Sequence, residues 1–298
     1  MSIMTTLSFD DRDGFIWYNG KFVPWREAKI HVLTHGLHYA SCVFEGIRSY
    51  DYKIFKLHEH NQRLHDSAEL LGFKIPYKVE QLNRITQELV NLQNIANSYI
   101  RSFAWRGSET MKAAAKNSSI HVAIACWQSQ NDYYQNNQKG SRLIISDWVR
   151  PPANSMPTNS KSSGMYMIST LSKLKAEELG YDDALLLDYR GYVAEASVAN
   201  FFMVRDNVLY TPIADCFLNG ITRQTIMELA SQRNIQVIEK HLILEEVKQA
   251  DEVFLTGTAV GITPVIQIND YHFNIGSITQ SLISSYHDLV YSKEAQNV

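Results

Sequence analysis

Residues 15–25 read FIWYNGKFVPW, two apolar runs separated by Asn19-Gly20. Asn-Gly is favoured in a tight type I′ turn, because both central residues of that turn take positive φ values. The stretch therefore predicts a β-hairpin, and the fold opens with β structure.

Residues 1–130, which include this hairpin, are predicted to form a smaller α+β domain. Helical periodicity runs over residues 58–71 and 79–92. Gly72 is placed to end the first of these helices, since glycine readily takes the left-handed conformation after a helix. Further runs of β-branched and aromatic residues predict strands at CVFEGIRSY (42–50), KIFKL (53–57), SYIRSFAW (98–105) and SIHVAIACW (119–127).

A larger α/β domain is predicted for residues 143–298. The segment QSQNDYYQNNQKG (128–140) is polar and almost free of aliphatic side chains, so residues 131–142 are predicted to be the interdomain linker. Helices are predicted at 165–179, 221–233 and 277–291. Strands are predicted at LIISDWV (143–149), DALLLDYRGYVAEA (183–196), NFFMVRDNVLYTP (200–212) and DEVFLTGTAVGITPV (251–265).

Composition narrows the class of protein. The 298 residues are 45% hydrophobic and 20% charged, which is typical of a folded chain and long enough for two domains. A net charge of -3 offers no basic surface for nucleic acid. The three cysteines form no C-x-x-C pair, and no stretch has the length and character of a membrane span. We therefore expect a cytoplasmic protein that binds small molecules and neither nucleic acid nor membrane.

Two groups of histidines raise the question of a metal site. His31, His35 and His38 are spaced i, i+4, i+7, and a second group follows at 58, 60 and 65. Neither group has the cysteine or carboxylate partners that complete most zinc sites. Ordinary packed or solvated histidines are therefore the better interpretation, and no metal is predicted. The glycine-rich nucleotide loops and the serine-hydrolase elbow are also missing from the sequence.

Lys161 lies in the loop PTNSKSSG (157–164), just ahead of a predicted helix. No acidic residue stands nearby, whereas a lysine that only solvates a surface usually has acidic neighbours. A lysine that attacks an aldehyde needs a fixed position and a lowered pKa, and loops between rigid elements often carry such groups. Spacing alone leaves open that Lys161 is an ordinary solvated lysine.

Glu195 stands in GYVAEASVAN (191–200), among small and apolar residues. A carboxylate in such a strand costs desolvation energy unless it meets a cation or a hydrogen-bond donor. The pyridinium nitrogen of pyridoxal 5′-phosphate (PLP) is such a cation, and a carboxylate bonded to it keeps the ring able to accept electrons. A surface glutamate at a strand edge remains the alternative.

Three further features suit a phosphate group. Gly220-Ile221-Thr222-Arg223 opens a predicted helix, whose first N–H groups point outward, and Thr256-Gly257-Thr258-Ala259 is a turn rich in hydroxyl groups. Arg63, on the 58–71 helix, offers a charge-assisted contact. Each feature alone fits a helix cap, a hairpin turn or a solvated arginine, whereas together they indicate a phosphate cofactor.

Eight blocks of this sequence, in order, resemble branched-chain amino acid aminotransferases, which belong to the class IV, or PLP fold-type IV, aminotransferase family. The resemblance covers about residues 15 to 290. The blocks are FIWYNGKFVPW, HVLTHGLHYASCVFEGIRSY, HEHNQRLHDSAELLGF, SYIRSFAWRGSE, the lysine loop, GYVAEASVANFF, NGITRQTIMELA and EVFLTGTAVGITPV. This resemblance implies a two-domain α/β fold with the active site in the interdomain cleft.

The resemblance also implies roles for individual residues. Lys161 would carry PLP as a Schiff base and move protons, Glu195 would pair with the pyridine nitrogen, and Tyr166 would bond the ring oxygen O3′. The remaining contacts fall into sets: the phosphate at Arg63, Ile221, Thr222 and Thr258; the substrate α-carboxylate at Tyr99, Thr258 and Ala259; the apolar side-chain pocket at Tyr39, Phe44, Tyr166 and Trp127; and the distal carboxylate of glutamate at Arg101 and Arg48.

The implied reaction is transamination of leucine, isoleucine and valine with 2-oxoglutarate, carried out by a homodimer or a higher homo-oligomer such as a dimer of trimers. D-amino acid aminotransferase, aminodeoxychorismate lyase and R-selective amine transaminase share the fold and the lysine, and they remain alternatives. A binding protein that kept the fold without the chemistry is the alternative from another class, and the presence of Lys161 counts against it.

Two positions depart from the family pattern. Ala199 stands where many members have an acidic residue before the asparagine, so the support of the cofactor is expected to differ. Lys112 stands where many relatives have glycine, in a loop expected to reach the neighbouring subunit's site. Both departures bear on the range of substrates.

Overall fold

The computed structural model describes residues 8–129 and 139–292, and its contacts divide the chain into two compact units. Unit 1 comprises Met1–Ser129 and Ser162–Gly164, and unit 2 comprises Gln130–Lys161 and Met165–Val298. Most of the predicted linker, residues 131–138, lies outside the described residues, while Ser141 already begins a strand. Both units combine helices with a sheet, which confirms the predicted mixed α/β class.

Unit 1 is built on a six-stranded antiparallel sheet in the order β2-β1-β6-β5-β3-β4. Its strands are β1 (Phe15–Tyr18), β2 (Lys21–Pro24), β3 (Cys42–Tyr50), β4 (Lys53–Ile54), β5 (Ser98–Arg106) and β6 (Ile120–Gln128). Its helices are α1 (His35–Tyr39), α2 (Leu57–Leu70) and α3 (Val79–Gln93). Leu64, Leu82 and Ile100, all fully buried, belong to the core between the long helices and the sheet.

The predicted hairpin is confirmed. Phe15 pairs with Pro24 and Tyr18 with Lys21, and the turn residues Asn19 and Gly20 have φ values of 48° and 95°. These positive values are what a type I′ turn requires. The prediction for 53–57 is only partly right, because β4 stops at Ile54 and α2 begins at Leu57.

Unit 2 carries a nine-stranded sheet of mixed direction. Its strands are β7 (Ser141–Ile145), β8 (Asp183–Leu187), β9 (Val193–Ala196), β10 (Asn200–Arg205), β11 (Val208–Pro212), β12 (Val237–Lys240), β13 (Glu252–Gly257), β14 (Gly261–Ile268) and β15 (Tyr271–His272). Its helices are α4 (Tyr166–Glu178), α5 (Ile221–Gln232), α6 (Leu244–Val247) and α7 (Ser277–Tyr291).

One pairing closes the larger sheet on itself. The sheet runs β12-β11-β10-β13-β14-β7-β8-β9, and β9 returns to β10 through the pair Asn200 and Glu195. Strands β7, β8, β9, β10, β13 and β14 therefore form a closed ring of pairings. The closing pair is made by two polar residues on buried strands, so the point of closure is also where polar side chains concentrate.

The prediction of a strand over 143–149 is wrong in its second half, because β7 ends at Ile145. The hydroxyl of Ser146 accepts a hydrogen bond of 3.0 Å from the N–H of Trp148. Such a local turn offers the backbone an alternative to the sheet ladder. Trp148 is consequently 50% exposed and does not lie in the sheet. Strand β12 and the short helices α1 and α6 were not predicted. None of the described helices has the length and apolar character that crossing a membrane requires.

Candidate active site

Lys161 and Tyr166 are in direct contact in unit 2. The backbone turn in which Ser160 N–H bonds to Pro157 O at 2.9 Å leads into Lys161, and a 3-10 turn at Ser163–Met165 leads into α4. Tyr166 is the first residue of α4, and its hydroxyl oxygen accepts a hydrogen bond of 2.6 Å from Lys161 Nζ. The lysine predicted to carry the cofactor therefore lies beside the tyrosine predicted to bond the cofactor's ring.

Glu195 lies on β9 and is 7% exposed, so the alternative of a surface glutamate at a strand edge is wrong. Its Oε1 lies 3.0 Å from Arg150 Nε, and its Oε2 accepts a hydrogen bond of 3.2 Å from Asn200 Nδ2. Burial raises the pKa of this carboxyl to about 7, against the opposing charges of Arg150 and Lys161. Carboxyl groups with raised pKa values are found at functional sites more often than elsewhere.

Asn200 connects Glu195 to the start of α5. Its Nδ2 also donates to Leu218 O at 2.9 Å, and its Oδ1 accepts from Gly220 N–H at 3.1 Å. A side chain at position 220 would collide with Asn200 Oδ1, so the close approach depends on the glycine. The carboxyl group on β9 and the loop before α5 are thus fixed relative to each other.

The N-terminus of α5 has the features of an anion site. Gly220 is its N-cap and has no side chain to accept from the first turn, and Thr222 of that turn is buried. The N–H groups at a helix start attract anions. Behind them the guanidinium of Arg223 is fully engaged, donating to Asn219 Oδ1, Pro212 O and Glu239 Oε2 at 2.6–2.9 Å. Arg223 anchors this turn.

Further hydroxyl groups lie on β13, in the turn after β13 and directly after β9. Thr258 and Ala259 lie in the turn between β13 and β14, as predicted for GTAVG. Thr256, paired in register with Asn200, has a buried Oγ1 without a hydrogen-bond partner among the described residues, and so has Ser197 Oγ. Buried polar atoms of this kind normally have partners. The cations, the buried carboxyl and the spare hydroxyls of unit 2 fit a ligand carrying a ring nitrogen and a phosphate.

Arg63 is held by a buried cluster in unit 1. Its Nε and Nη2 donate to the two oxygens of Glu45 at 2.7 and 2.8 Å, and His60 Nδ1 lies 2.7 Å from Glu45 Oε2. Burial raises the pKa of Glu45, but the charges and hydrogen bonds of Arg63 and His60 outweigh it and hold that pKa far below its ordinary value. Glu45 therefore fixes the direction of the arginine predicted to meet the phosphate.

Replacing Glu45 by glutamine is expected to lower the free energy of unfolding by about 3 kcal/mol at neutral pH, because it removes the buried carboxylate charge that faces the largely buried guanidinium of Arg63. Urea unfolding of the cofactor-free protein measures this. The folded-state pKa of Glu45 is depressed, so its stabilising effect is present above the ordinary value of 4.5 and is lost as the pH falls. The difference between the two proteins should shrink in acid.

Glu59→Gln is the matched control for Glu45→Gln. Glu59 lies on α2, the helix that carries Arg63, and pairs with Lys56 at the surface, so its replacement should change stability by less than about 0.5 kcal/mol. Equal losses for the two variants would show that the Glu45 cluster carries no special stability.

Four of the predicted substrate residues gather in unit 1. Arg101 lies over the ring of Phe44 with its guanidinium carbon 4.8 Å from the centroid, and its Nη2 donates to Tyr99 Oη at 3.0 Å. The rings of Tyr99 and Trp127 are 5.2 Å apart. Gly46 makes room for this, because a side chain there would collide with the Tyr99 hydroxyl. Aromatic walls with one cation match the pocket predicted for leucine and glutamate.

Two other predicted substrate residues, Tyr39 and Arg48, also belong to unit 1. Tyr39 is on α1, is 49% exposed, and stacks on His35 with centroids 4.6 Å apart. Arg48 is buried on β3 with its guanidinium carbon 5.2 Å from the ring of Tyr50, and it pairs in register with Tyr99. Their predicted roles stay predictions.

The two departures from the family pattern can also be located. Ala199 is buried among apolar side chains of the unit 2 core, and the neighbouring Asn200 still reaches Glu195. The carbonyl of Lys112 lies 3.1 Å from His35 Nε2, which ties its loop to α1. Their effects on cofactor support and substrate range stay predictions.

Sequence reasoning missed the partners of the key side chains. Arg150, Asn200, Glu45 and His60 had no predicted role, although all of them except Arg150 stand inside blocks that carried the resemblance. Glu195 itself indicated that such partners exist, since a buried carboxylate is normally paired with a cation and with a hydrogen-bond donor. The identity of those partners depended on contacts between distant segments.

The profile of the family described as "Amino-transferase class IV" matches residues 42–268. This match spans most of the chain and includes both the lysine loop and Glu195. The chain therefore belongs to the class IV aminotransferase family, as the sequence resemblance had indicated.

The individual relatives of this chain are named as branched-chain aminotransferases. The chain is 46% identical over 255 residues to a "Probable branched-chain-amino-acid aminotransferase" of Rickettsia bellii, covering 86% of this chain and 87% of the relative. It is 41% identical to the "Branched-chain-amino-acid aminotransferase" of Pseudomonas aeruginosa, covering 96% of both chains. Among solved structures, the T.th. branched-chain amino acid aminotransferase with pyridoxamine 5′-phosphate matches with a TM-score of 0.89 and 39% identity, over 94% of each chain.

Proposed function

We propose that this protein is a PLP-dependent transaminase that moves the amino group of L-leucine, L-isoleucine or L-valine to 2-oxoglutarate, giving the branched 2-oxo acid and L-glutamate. The relatives named above support the substrate class. The observation that carries the proposal is the contact of Lys161 Nζ with Tyr166 Oη, in the same unit as the buried carboxyl of Glu195. Together these residues provide the amine, the ring contact and the acid that the cofactor needs.

The residues present in unit 2 fit this cofactor. Lys161 would hold it covalently, Tyr166 would bond the ring oxygen, and Glu195 would accept the N–H of the ring nitrogen. Ile221 and Thr222 at the start of α5, with Thr258 in the β13–β14 turn, would hold the phosphate, and Arg63 would add a cation. When bound, the cofactor supplies a ring that accepts the electrons released at the substrate Cα.

Lys161 has two tasks in the proposed reaction. It would hold the cofactor covalently, and once the amino acid takes its place, its free amine would accept the proton from the substrate Cα and pass it on to the cofactor. Accepting that proton needs a neutral, well-placed amine, and the ammonium so formed then donates the proton as a general acid. The hydrogen bond to Tyr166 holds Nζ in one orientation. The same amine serves the return reaction with 2-oxoglutarate.

The substrate pocket must accept an apolar side chain in one half-reaction and a carboxylate in the other. Phe44 and Trp127 provide apolar surface, and Arg101 provides a cation beside it. The T.th. relative has been solved both with 4-methylvaleric acid and with N-(5′-phosphopyridoxyl)-L-glutamate, an apolar acid and a glutamate adduct. A shared pocket of this kind supports the proposed pair of substrates.

Turnover across a panel of amino acids tests the proposal. The purified protein, supplied with PLP, is assayed with 2-oxoglutarate and L- or D-amino acids, and glutamate formation is measured. L-leucine, L-isoleucine and L-valine should react faster than L-alanine or any D-amino acid. Preference for D-amino acids, or no glutamate with any of them, would contradict the proposal.

Replacing Arg101 by methionine should slow the glutamate half-reaction and largely spare leucine. The lost contact to the distal carboxylate is charge-assisted and partly desolvated, so roughly 1.5–3 kcal/mol is at stake. This corresponds to about a 10- to 150-fold loss in kcat/KM for glutamate. Each half-reaction can be followed separately by the absorbance of the bound cofactor.

The surface residue Arg84 on α3 supplies the control for this charge change. Arg84→Met removes an exposed positive charge from the same unit and should leave both half-reactions unchanged. Equal losses for glutamate and leucine in Arg101→Met would mean that Arg101 acts on the shared α-carboxylate or on folding. Arg48 would then be the next cation to test.

We further propose that the protein assembles as a homodimer or a higher homo-oligomer. Large apolar side chains are exposed in both units, including Val32 at 75% and Met167 at 66%, and a second copy would cover such surface. Light scattering at micromolar concentration tests this, and a monomer would contradict it. The cytoplasmic location stays a prediction that cell fractionation can test.

A further inference from the structure

Arg150 is the charged residue nearest to the Glu195 carboxyl among the contacts of the described residues. It is 4% exposed, and its Nε lies 3.0 Å from Glu195 Oε1. The Nε–H does not point along this line, so the link is an ion pair without an aligned hydrogen bond. Attraction between charges rather than hydrogen-bond direction therefore dominates this contact.

The rest of the guanidinium is tied to fixed points of unit 2. Nη1 donates to Met165 O at 3.3 Å, and Nη2 donates to Ser169 Oγ at 3.0 Å and to Ser197 O at 3.2 Å. Met165 and Ser169 belong to the start of α4, and Ser197 follows β9 directly. These bonds to the start of α4 and to Ser197 hold the Arg150 guanidinium in place beside the Glu195 carboxyl.

The other groups around Glu195 cannot replace this charge. Asn200 bonds the second oxygen, Oε2, but an amide is neutral. Lys161 also acts on the carboxyl through its charge, but in the proposed reaction it changes its bonding at each turnover. Arginine keeps its proton under all ordinary conditions. Arg150 is therefore the cation whose effect on Glu195 is constant through the cycle.

We propose that Arg150 is a positioning residue that favours the ionised form of the buried Glu195 and holds its carboxylate in place, so that Glu195 can accept the N–H of the cofactor's ring nitrogen. This inference rests on the proposed function for the role of Glu195. The contact between Arg150 and Glu195 is independent of that function, and it can be tested without cofactor.

The charge of Arg150 can be separated from its hydrogen bonds by two substitutions. Arg150→Lys keeps the positive charge, and Arg150→Gln removes it while keeping N–H donors for the backbone. An opposite charge in contact lowers the pKa of a carboxyl by about 1 to 3 units. Removing that charge should therefore raise the pH at which Glu195 ionises by about one unit or more.

Infrared spectroscopy of the cofactor-free protein measures this directly. The carbonyl stretch of protonated Glu195 is identified as the band that Glu195→Gln abolishes, and its titration is followed in each variant. The midpoint should rise in Arg150→Gln and stay close to the original in Arg150→Lys. Unchanged midpoints in Arg150→Gln, or equal rises in both variants, would overturn the proposal. If Arg150→Gln does not fold, a large rise in Arg150→Lys would still overturn it.

Activity adds a second measurement. In Arg150→Gln the acid limb of the kcat profile for leucine should move upward by about one pH unit or more, while Arg150→Lys keeps it. Arg205→Met, which removes an exposed arginine of the same unit, is the control and should leave the limb in place. If the unsubstituted protein shows no transamination, the proposed function fails, while the infrared titration still decides whether Arg150 holds the charge on Glu195.

Discussion

Replacing Lys161 by alanine is expected to reduce transamination of leucine by about 10³-fold or more, because one side chain both holds the cofactor and transfers the proton. The fold should survive, since Lys161 is only half-buried and lies in a loop. Single-turnover kinetics with leucine measure the loss. A variant that keeps more than a tenth of the original rate would show that another group transfers the proton.

Borohydride reduction provides a structural check on the same assignment. Reduction of the PLP-loaded protein should fix the cofactor on the peptide that contains Lys161, and Lys161→Ala should lose this label. Lys173→Ala is the matched control, since Lys173 lies on the exposed face of α4 near Glu177. A label on another lysine, or none, would exclude Lys161 as the covalent attachment point.

Replacing Glu195 by glutamine is expected to keep cofactor binding and lower kcat by about 10²-fold or more. An amide cannot hold the ring nitrogen protonated, so the ring accepts electrons less well when the substrate Cα loses its proton. Single-turnover rates with leucine and with glutamate should fall together. Rates equal to those of the unsubstituted protein would refute the role of Glu195.

The same substitution should change how stability depends on pH in the cofactor-free protein. The folded-state pKa of Glu195, about 7, lies above its ordinary value of 4.5 because the group is buried. The folded state therefore binds this proton more tightly than the unfolded state, so the stability that this group contributes is present below 4.5 and is lost as the pH rises to about 7. Glu195→Gln should remove this decline from thermal unfolding curves.

Glu177→Gln is the control for both Glu195 measurements. Glu177 lies on the exposed side of α4 and pairs loosely with Lys173 at 3.8 Å. Its replacement removes a surface carboxylate and should affect neither kcat nor the decline in stability with pH. If the decline persisted in Glu195→Gln, another buried acid would be its source.

Short-range structure followed from local sequence. The Asn19-Gly20 turn, the end of α2 before Gly72 and the helix over 277–291 all agree with their predictions, because each depends on backbone preferences of a few consecutive residues. The prediction of the strand over 143–149 failed where a side-chain hydrogen bond competed with the sheet ladder. A hydrogen bond to Ser146 turned the chain out of β7, although Trp148 and Val149 had suggested that the strand continued.

The sequence by itself determined the family, the order of the longer helices and of most strands, and the identity of Lys161, Tyr166 and Glu195 as candidates, since each of these three falls in a recognisable block. Only the tertiary structure decided which partners these side chains have. Arg150, Asn200 and Glu195 come together because β9 closes the ring of strands onto β10, with α4 alongside. The state of a buried carboxyl depends on the charges around it, and those come from segments that no local pattern connects.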